Sequence, residues 1–249
     1  MVVQAQEGRL TTSRTRVLVA TAVPAERDAV ARALSGPGRE VRLPGVTLHR
    51  ADEPCDLLAA GVGPALAAAS VSAALTAAAL SGEPYGLVVS TGIAGGFAPD
   101  APVGSLVLAD EITAADLGAE TADGFLPVTE LGFGTVTHCP PESLVRGSAA
   151  ATGALTGVVL TVSTVTGTAA RAAALRALHP RALAEAMEGF GVAEAAAAHG
   201  VPVLEIRAVS NPVGPRDRDA WRIGAALAAL TTAFGKLTPV LESWNPHDR

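Results

Sequence analysis

Gly86-Leu87-Val88-Val89-Ser90-Thr91-Gly92-Ile93-Ala94-Gly95-Gly96 is the stretch on which the fold turns. Its first half is a short apolar run with paired valines, the signature of a buried strand rather than of a helix. Its second half is built of small residues and glycines, which let a backbone come close to whatever lies opposite, or simply make an ordinary strand-end turn. A buried strand that runs straight into such a loop belongs to a parallel sheet, where sites form at the carboxyl ends of strands.

Working outward, residues 16–21 (RVLVAT), 56–60, 105–109, 157–163 and 201–208 read as further short strands, and residues 41–49 as strands around Pro44-Gly45. Helical patterns lie between them: residues 25–34 entered through Pro24, the small-residue run to Leu80, residues 169–178 stopped by Pro180, residues 188–199, and a closing helix over 219–237. The stretch 114–143, with scattered Gly and Pro, reads as irregular. Strands alternating with helices predict a single-domain three-layer α/β/α fold with a mostly parallel central sheet. The expected boundaries are a disordered arm over residues 1–13, the domain over 14–238 and a tail over 239–249.

Composition narrows the function. The chain has 249 residues, 49% of them hydrophobic, enough for a sizeable core in one domain. A formal charge of −6 argues against nucleic acid, which needs clustered Lys and Arg, and against an anionic membrane. Two cysteines make no disulfide framework, and five scattered histidines show no metal-ligand spacing, so neither metal nor cofactor is expected. The polar start lacks the apolar core of a signal peptide, and no apolar run reads as a clean membrane span, which predicts a cytoplasmic protein. Gly61-Val62-Gly63 resembles the opening of a dinucleotide fingerprint, but Leu66 stands where the third glycine belongs and no acidic ribose ligand follows; a tight strand-to-helix turn is the simpler account.

Six segments, in order, carry a resemblance. They are Ala22-Val23-Pro24-Ala25-Glu26, Gly61-Val62-Gly63-Pro64, Ser90 to Gly96, Val103 to Glu111, Met187-Glu188-Gly189, and Arg207-Ala208-Val209-Ser210-Asn211. From Val17 to about Phe234 the chain resembles the nucleoside phosphorylase-like superfamily, and within it the nucleosidases that hydrolyse methylthioadenosine and S-adenosylhomocysteine. Two departures point elsewhere inside that group. Those nucleosidases have Met-Glu-Ala and Ser-Asp where this chain has Met187-Glu188-Gly189 and Ser210-Asn211; with the following Gly214-Pro215-Arg216-Asp217 the pattern is similar to that of futalosine hydrolases. The resemblance implies release of hypoxanthine from futalosine, an inosine with a carboxyphenyl ketone on its 5′ side, in an alternative menaquinone pathway. It also implies a homo-oligomer, a dimer by preference.

Cleaving an N-ribosidic bond builds positive charge on the sugar and negative charge on the departing base, so the catalyst needs an anion at the sugar, donors at the base and a placed nucleophile. By resemblance Glu26 activates water; from residue type alone it is a solvated glutamate favoured near a helix N-terminus. Glu188 suits the paired ribose hydroxyls, with Met187 either on the sugar face or filling core and Gly189 either clearing space beside the sugar or easing helix packing. Asn211, with Ser210, offers a donor and an acceptor to the O6 and N7 edge of a 6-oxopurine, where an aspartate would suit adenine better; its bland alternative is a turn before Pro212. Thr91, Gly92 and Ile93 complete the expected nucleoside contacts, and Arg216 is a candidate for the carboxylate tail or a plain surface residue. Arg207 reads as one half of a structural ion pair, and Phe97 and Phe133 as stacking or core residues. A phosphorylase on this fold would want a cation where Glu26 stands, and a non-enzymatic nucleoside binder would lack a catalytic carboxylate; both are disfavoured.

Overall fold

The computed structural model describes residues 15–34, 38–51 and 55–245. The arm expected over residues 1–13 lies outside them. In chain order the elements are β1 (Val17–Thr21), α1 (Pro24–Ala31), β2 (Arg39–Leu43), β3 (Val46–Arg50), β4 (Cys55–Ala59), α2 (Pro64–Leu80), β5 (Leu87–Gly96), β6 (Leu106–Ala114), β7 (Gly118–Thr121), β8 (Gly124–Pro127), β9 (Thr137–His138), α3 (Glu142–Thr152), β10 (Leu155–Thr161), α4 (Ala169–Leu178), β11 (Ala182–Ala186), α5 (Gly189–Ala198), β12 (Val203–Pro212) and α6 (Ile223–Ser243).

Period-two burial in the central strands sorts the helices into two layers. Val17 and Val19 of β1, with Leu87 and Val89 of β5, join Val30 of α1, Leu144 of α3 and Phe234 and Leu237 of α6 in one cluster. Leu18 and Ala20, with Val88, join Val71 and Leu75 of α2 and Val192 and Ala196 of α5 in the other. Each such Val, Leu or Phe, fully buried, contributes about 1.5–3 kcal/mol. This is the expected three-layer α/β/α arrangement.

The sheet runs β11-β10-β6-β12-β5-β1-β4-β3-β2. Its body is parallel: β4 with β1, β1 with β5, β5 with β12, and β6 with β10 and β10 with β11. Antiparallel pairs join β12 to β6 and build the β2-β3-β4 edge, so the sheet is more mixed than simple strand–helix alternation suggests. β11 also curls back to pair antiparallel with the end of β5 at Gly95 and Gly96. That closure brings the carboxyl ends of β5, β11 and β12 together beside the β1–α1 turn.

Three segments depart from expectation. Residues 92–96 are no loop: β5 continues through them because β12 pairs with it as far as Pro212, with a register shift between Val209 and Asn211 that leaves Ser210 as the extra residue. The irregular stretch 114–143 contains the β7–β8 hairpin and β9. The closing helix α6 runs to Ser243, past the expected Leu237 and into the expected tail, carrying Pro239 within it. By length and composition α6 is apolar enough to cross a membrane. Its buried residues, Leu230, Phe234, Leu237 and Leu241 among them, face the sheet clusters.

Candidate active site

At the joined strand ends lies a cavity of about 250 Å³. Four of its walls follow from the elements just described. The β1–α1 turn supplies Ala22, Val23 and Glu26; the end of β5 supplies Ile93, Ala94 and Gly95; β11 and the residues after it supply Glu185, Met187 and Glu188; the end of β12 supplies Ser210 and Asn211.

Glu26 sits in the first turn of α1, opened by Pro24, with its side chain folded back rather than out into solvent. Oε2 accepts the backbone N–H of Ala22 at 3.0 Å and of Val23 at 3.3 Å, and Oε1 accepts that of Ile93 at 2.8 Å. It is 4% exposed, which removes the solvated-glutamate alternative. Burial pushes its carboxyl above the ordinary range; the Ile93 N–H and the Arg207 guanidinium oppose this, and Glu188 adds to it. Gly92 permits the approach, because a Cβ there would lie 2.6 Å from Glu26 Oε1 and 2.9 Å from an Arg207 nitrogen.

Glu188 stands at the N-cap of α5, buried. Its Oε1 accepts the Gly63 N–H at 3.3 Å, and its Oε2 lies 3.4 Å from Arg207 Nη1. The glycine turn Gly61-Val62-Gly63 thus presents the N-terminus of α2 to a carboxylate of the protein's own, a partner that the helix dipole favours. Arg207, 1% exposed, donates its Nε to Glu205 at 2.8 Å and its Nη2 to the Ser90 hydroxyl at 3.1 Å. Burial works against its charge, but Glu205, Glu188 and Glu26 together outweigh that and hold it more firmly protonated. The ion-pair role read for Arg207 is what the structure has.

Ser210 and Asn211 owe their aim to the irregularity in β12, since an extra residue turns a strand's side chains. The Ser210 hydroxyl lies 2.8 Å from Asn211 Oδ1, and Asn211 Nδ2 donates to the Pro212 carbonyl at 3.1 Å. The amide is held at both ends and keeps one hydrogen and one lone pair free for a ligand. Farther out, Arg216 reaches over the Trp221 ring, 5.2 Å from its centroid, and both line the rim.

Of the expected site residues, Glu26, Ile93, Met187, Glu188, Ser210, Asn211 and Arg216 line one cavity. Thr91, Gly92 and Gly189 lie behind its wall. Thr91 Oγ1 donates to the Ile206 carbonyl, and Gly189 backs onto Glu205 rather than onto the cavity. Phe97 packs in a core cluster with Leu160 and Leu175, and Phe133 is 69% exposed, so neither lines the cavity. The sequence reading missed Glu185, Thr166, Trp221 and the buried Glu205. Glu185 accepts the Thr166 N–H at 2.8 Å and its hydroxyl; burial raises its carboxyl, and the Thr166 bonds oppose the rise. Among the described residues, no group of three or more His, Cys, Asp or Glu is placed to hold a metal ion.

Residues 16–238 match the family model of the phosphorylase superfamily. The futalosine hydrolase of Streptomyces coelicolor is 79% identical over 233 residues, covering 94% of this chain and 99% of its own. That of Acidothermus cellulolyticus is 46% identical over 225 residues, 88% of this chain and 89% of its own. The crystal structure of the methylthioadenosine/S-adenosylhomocysteine nucleosidase from Colwellia psychrerythraea, in complex with adenine, shares the fold with a TM-score of 0.79 at 20% identity, over 94% of this chain and 98% of that one.

Proposed function

The chain belongs to the phosphorylase superfamily and, within it, to the futalosine hydrolase family, and from that premise we propose that it hydrolyses the N-ribosidic bond of futalosine and releases hypoxanthine. The observation that carries this is the clamp on Glu26. A carboxylate fixed by three backbone N–H groups, facing a cavity and raised by burial, is a base aimed at one point. Glu26 takes a proton from water as the oxygen attacks C1′; Glu188 accepts from the ribose hydroxyls and balances the charge growing on the sugar. As the C1′–N9 bond breaks and its electron pair moves onto the purine, Asn211 donates its free hydrogen to O6, and its lone pair accepts from N7 once a solvent water has protonated the departing base. Met187 lies on the sugar face. At the rim, the Trp221 ring and the Arg216 guanidinium suit a tail that is aromatic and carries a carboxylate.

A phosphorylase needs a free cation at the nucleophile position. Arg207 is the buried cation beside Glu26, and Glu205 and Glu188 already hold it. We place the protein in the cytoplasm, in menaquinone biosynthesis, as a homodimer. Exposed Leu117, Leu131 and Phe133 around the β7–β8 hairpin support an interface. The test is hypoxanthine release from futalosine as phosphate is varied. The expected rate is independent of phosphate; a rate proportional to phosphate contradicts the proposal.

A further inference from the structure

Glu205 has no duty in the chemistry above, and its setting is costly. It is 0% exposed, near the start of β12, with Oε1 accepting from Arg207 Nε and Oε2 buried without a hydrogen-bond partner. A buried carboxylate with one orphaned oxygen destabilises a fold unless something else requires it. Its neighbour Gly189 supplies a second observation. A Cβ on Gly189 would lie 2.2 Å from Glu205 Oε2 and 2.3 Å from Oε1. Alanine at 189 and glutamate at 205 therefore exclude each other as packed. The sequence departs from the Met-Glu-Ala pattern of the adenosine-type nucleosidases at this glycine, and the structure ties that departure to a third carboxylate behind the wall rather than to room beside the sugar.

We propose that Glu205 is a positioning residue of the hydrolysis, holding Arg207 where it serves both Glu188 and Glu26. The proposal rests on the futalosine-hydrolase reading of this cavity. Glu205 fixes the Nε edge of the guanidinium and Ser90 fixes Nη2, which leaves Nη1 turned towards Glu188 and the backbone of Gly92. The charges that face Glu26 are Arg207 from β12 and Glu188 from the start of α5; those that face Glu205 are the same two. Three carboxylates thus share one guanidinium; burial raises the carboxyls of Glu26 and Glu205, Arg207 opposes both rises, and these two groups are coupled through it. Glu205 takes up part of the positive charge of Arg207 and so keeps Glu26 basic enough to accept a proton from water.

The experiment is the pH profile of kcat/KM on futalosine for the wild-type chain, Glu205→Gln and Glu205→Asp. The amide keeps an oxygen for Arg207 Nε but removes one negative charge. The proton then leaves Glu26 more easily, and the acid limb moves to lower pH by about 0.5–1.5 units. Plateau kcat falls by about tenfold, because a weaker base takes the proton less readily. Glu205→Asp keeps the charge, so its limb stays at the wild-type pH while its shorter reach lowers kcat. A limb unmoved in Glu205→Gln overturns the proposal, whatever happens to kcat, since a purely structural residue gives that result. Should the Gln variant not fold, or should the wild type release no hypoxanthine, carbon-13 NMR of the glutamate carboxyls in the wild-type protein decides separately. The proposal requires Glu205 ionised at pH 7 and coupled to the titration of Glu26; a Glu205 carboxyl protonated at pH 7 overturns it. Absence of hypoxanthine release would by itself count only against the functional reading.

Discussion

The inner and outer halves of the cavity are built on opposite terms. The inner half is walled by Glu26 and Glu188 and backed by Glu205 and Arg207, buried charges each less than a tenth exposed and fixed by backbone N–H groups or by one another. The outer half, from Asn211 to Trp221, is largely exposed, with Arg216 leaning on Trp221 as its aromatic contact. Catalysis needs groups that do not move when charge develops, and the closed strand ends supply them. In the proposed function, recognition of the base and tail falls to residues that can change without disturbing the core. Substitutions inside should therefore damage rate, and substitutions outside should redirect preference.

The largest effect is expected for Glu26→Gln. Both Glu26 oxygens accept backbone N–H groups, so whichever way the amide turns its NH2 meets a donor. The side chain loses its basicity and part of its clamp. The expected drop in kcat is about a hundredfold to ten-thousandfold, with hypoxanthine binding by calorimetry changed far less. Near-normal turnover would erase the distinction between the two halves.

Next is Asn211→Asp. The Ser210 hydroxyl can still donate to the carboxylate, but the amide donor is gone and an anion faces O6. A lost polar match in such a site costs about 1–3 kcal/mol, so the ratio of kcat/KM should move about tenfold towards the aminodeoxy analogue whose base is adenine. Equal loss on both substrates would make Asn211 part of the inner half.

Arg216→Ala should act more weakly still. An exposed cation contributes about 0.2–1 kcal/mol, which predicts a KM raised by up to about fivefold, an unchanged kcat and an unchanged melting temperature. A drop in kcat alone would refute the tail-binding role.

The smallest effect is on stability. The Glu26 carboxyl is raised in the folded chain above its ordinary 4.5. Its contribution to stability is thus complete below about pH 4.5, the unfolded value, and is lost as pH rises through the folded one. The melting temperature of Glu26→Gln minus that of the wild type should therefore climb with pH above 4.5 and then level off. A flat difference would mean that Glu26 is not perturbed.

The frame of the inner half was largely legible in the sequence because its residues sit on regular strands and helix starts. Burial of β5 and the proline-opened start of α1 follow from local pattern, whereas Glu26 and the Met187-Glu188-Gly189 segment stand out only through the resemblance, since residue type alone makes each glutamate an ordinary helix-start residue. Glu205 was legible too, as the partner two residues before Arg207 on the same face of an apolar strand, yet only Arg207 was read as paired. β11, Ala182–Ala186, escaped because an alanine-rich run with a glutamate has no strand propensity; it is a strand only because β10 and the end of β5 flank it. α3 escaped for the converse reason, since its Ser, Gly and Thr residues weaken a helical pattern that packing on α6 restores. Phe97 and Phe133 show the limit of residue type: one is core, the other surface, and nothing local separates them.

The central claim is that water, activated by Glu26, is the nucleophile. Turnover of futalosine in oxygen-18 water, with phosphate present, tests it directly by mass spectrometry of the sugar product. The account predicts one oxygen-18 atom at C1′ of the freed sugar and none in hypoxanthine. A sugar 1-phosphate without label at C1′ would contradict it.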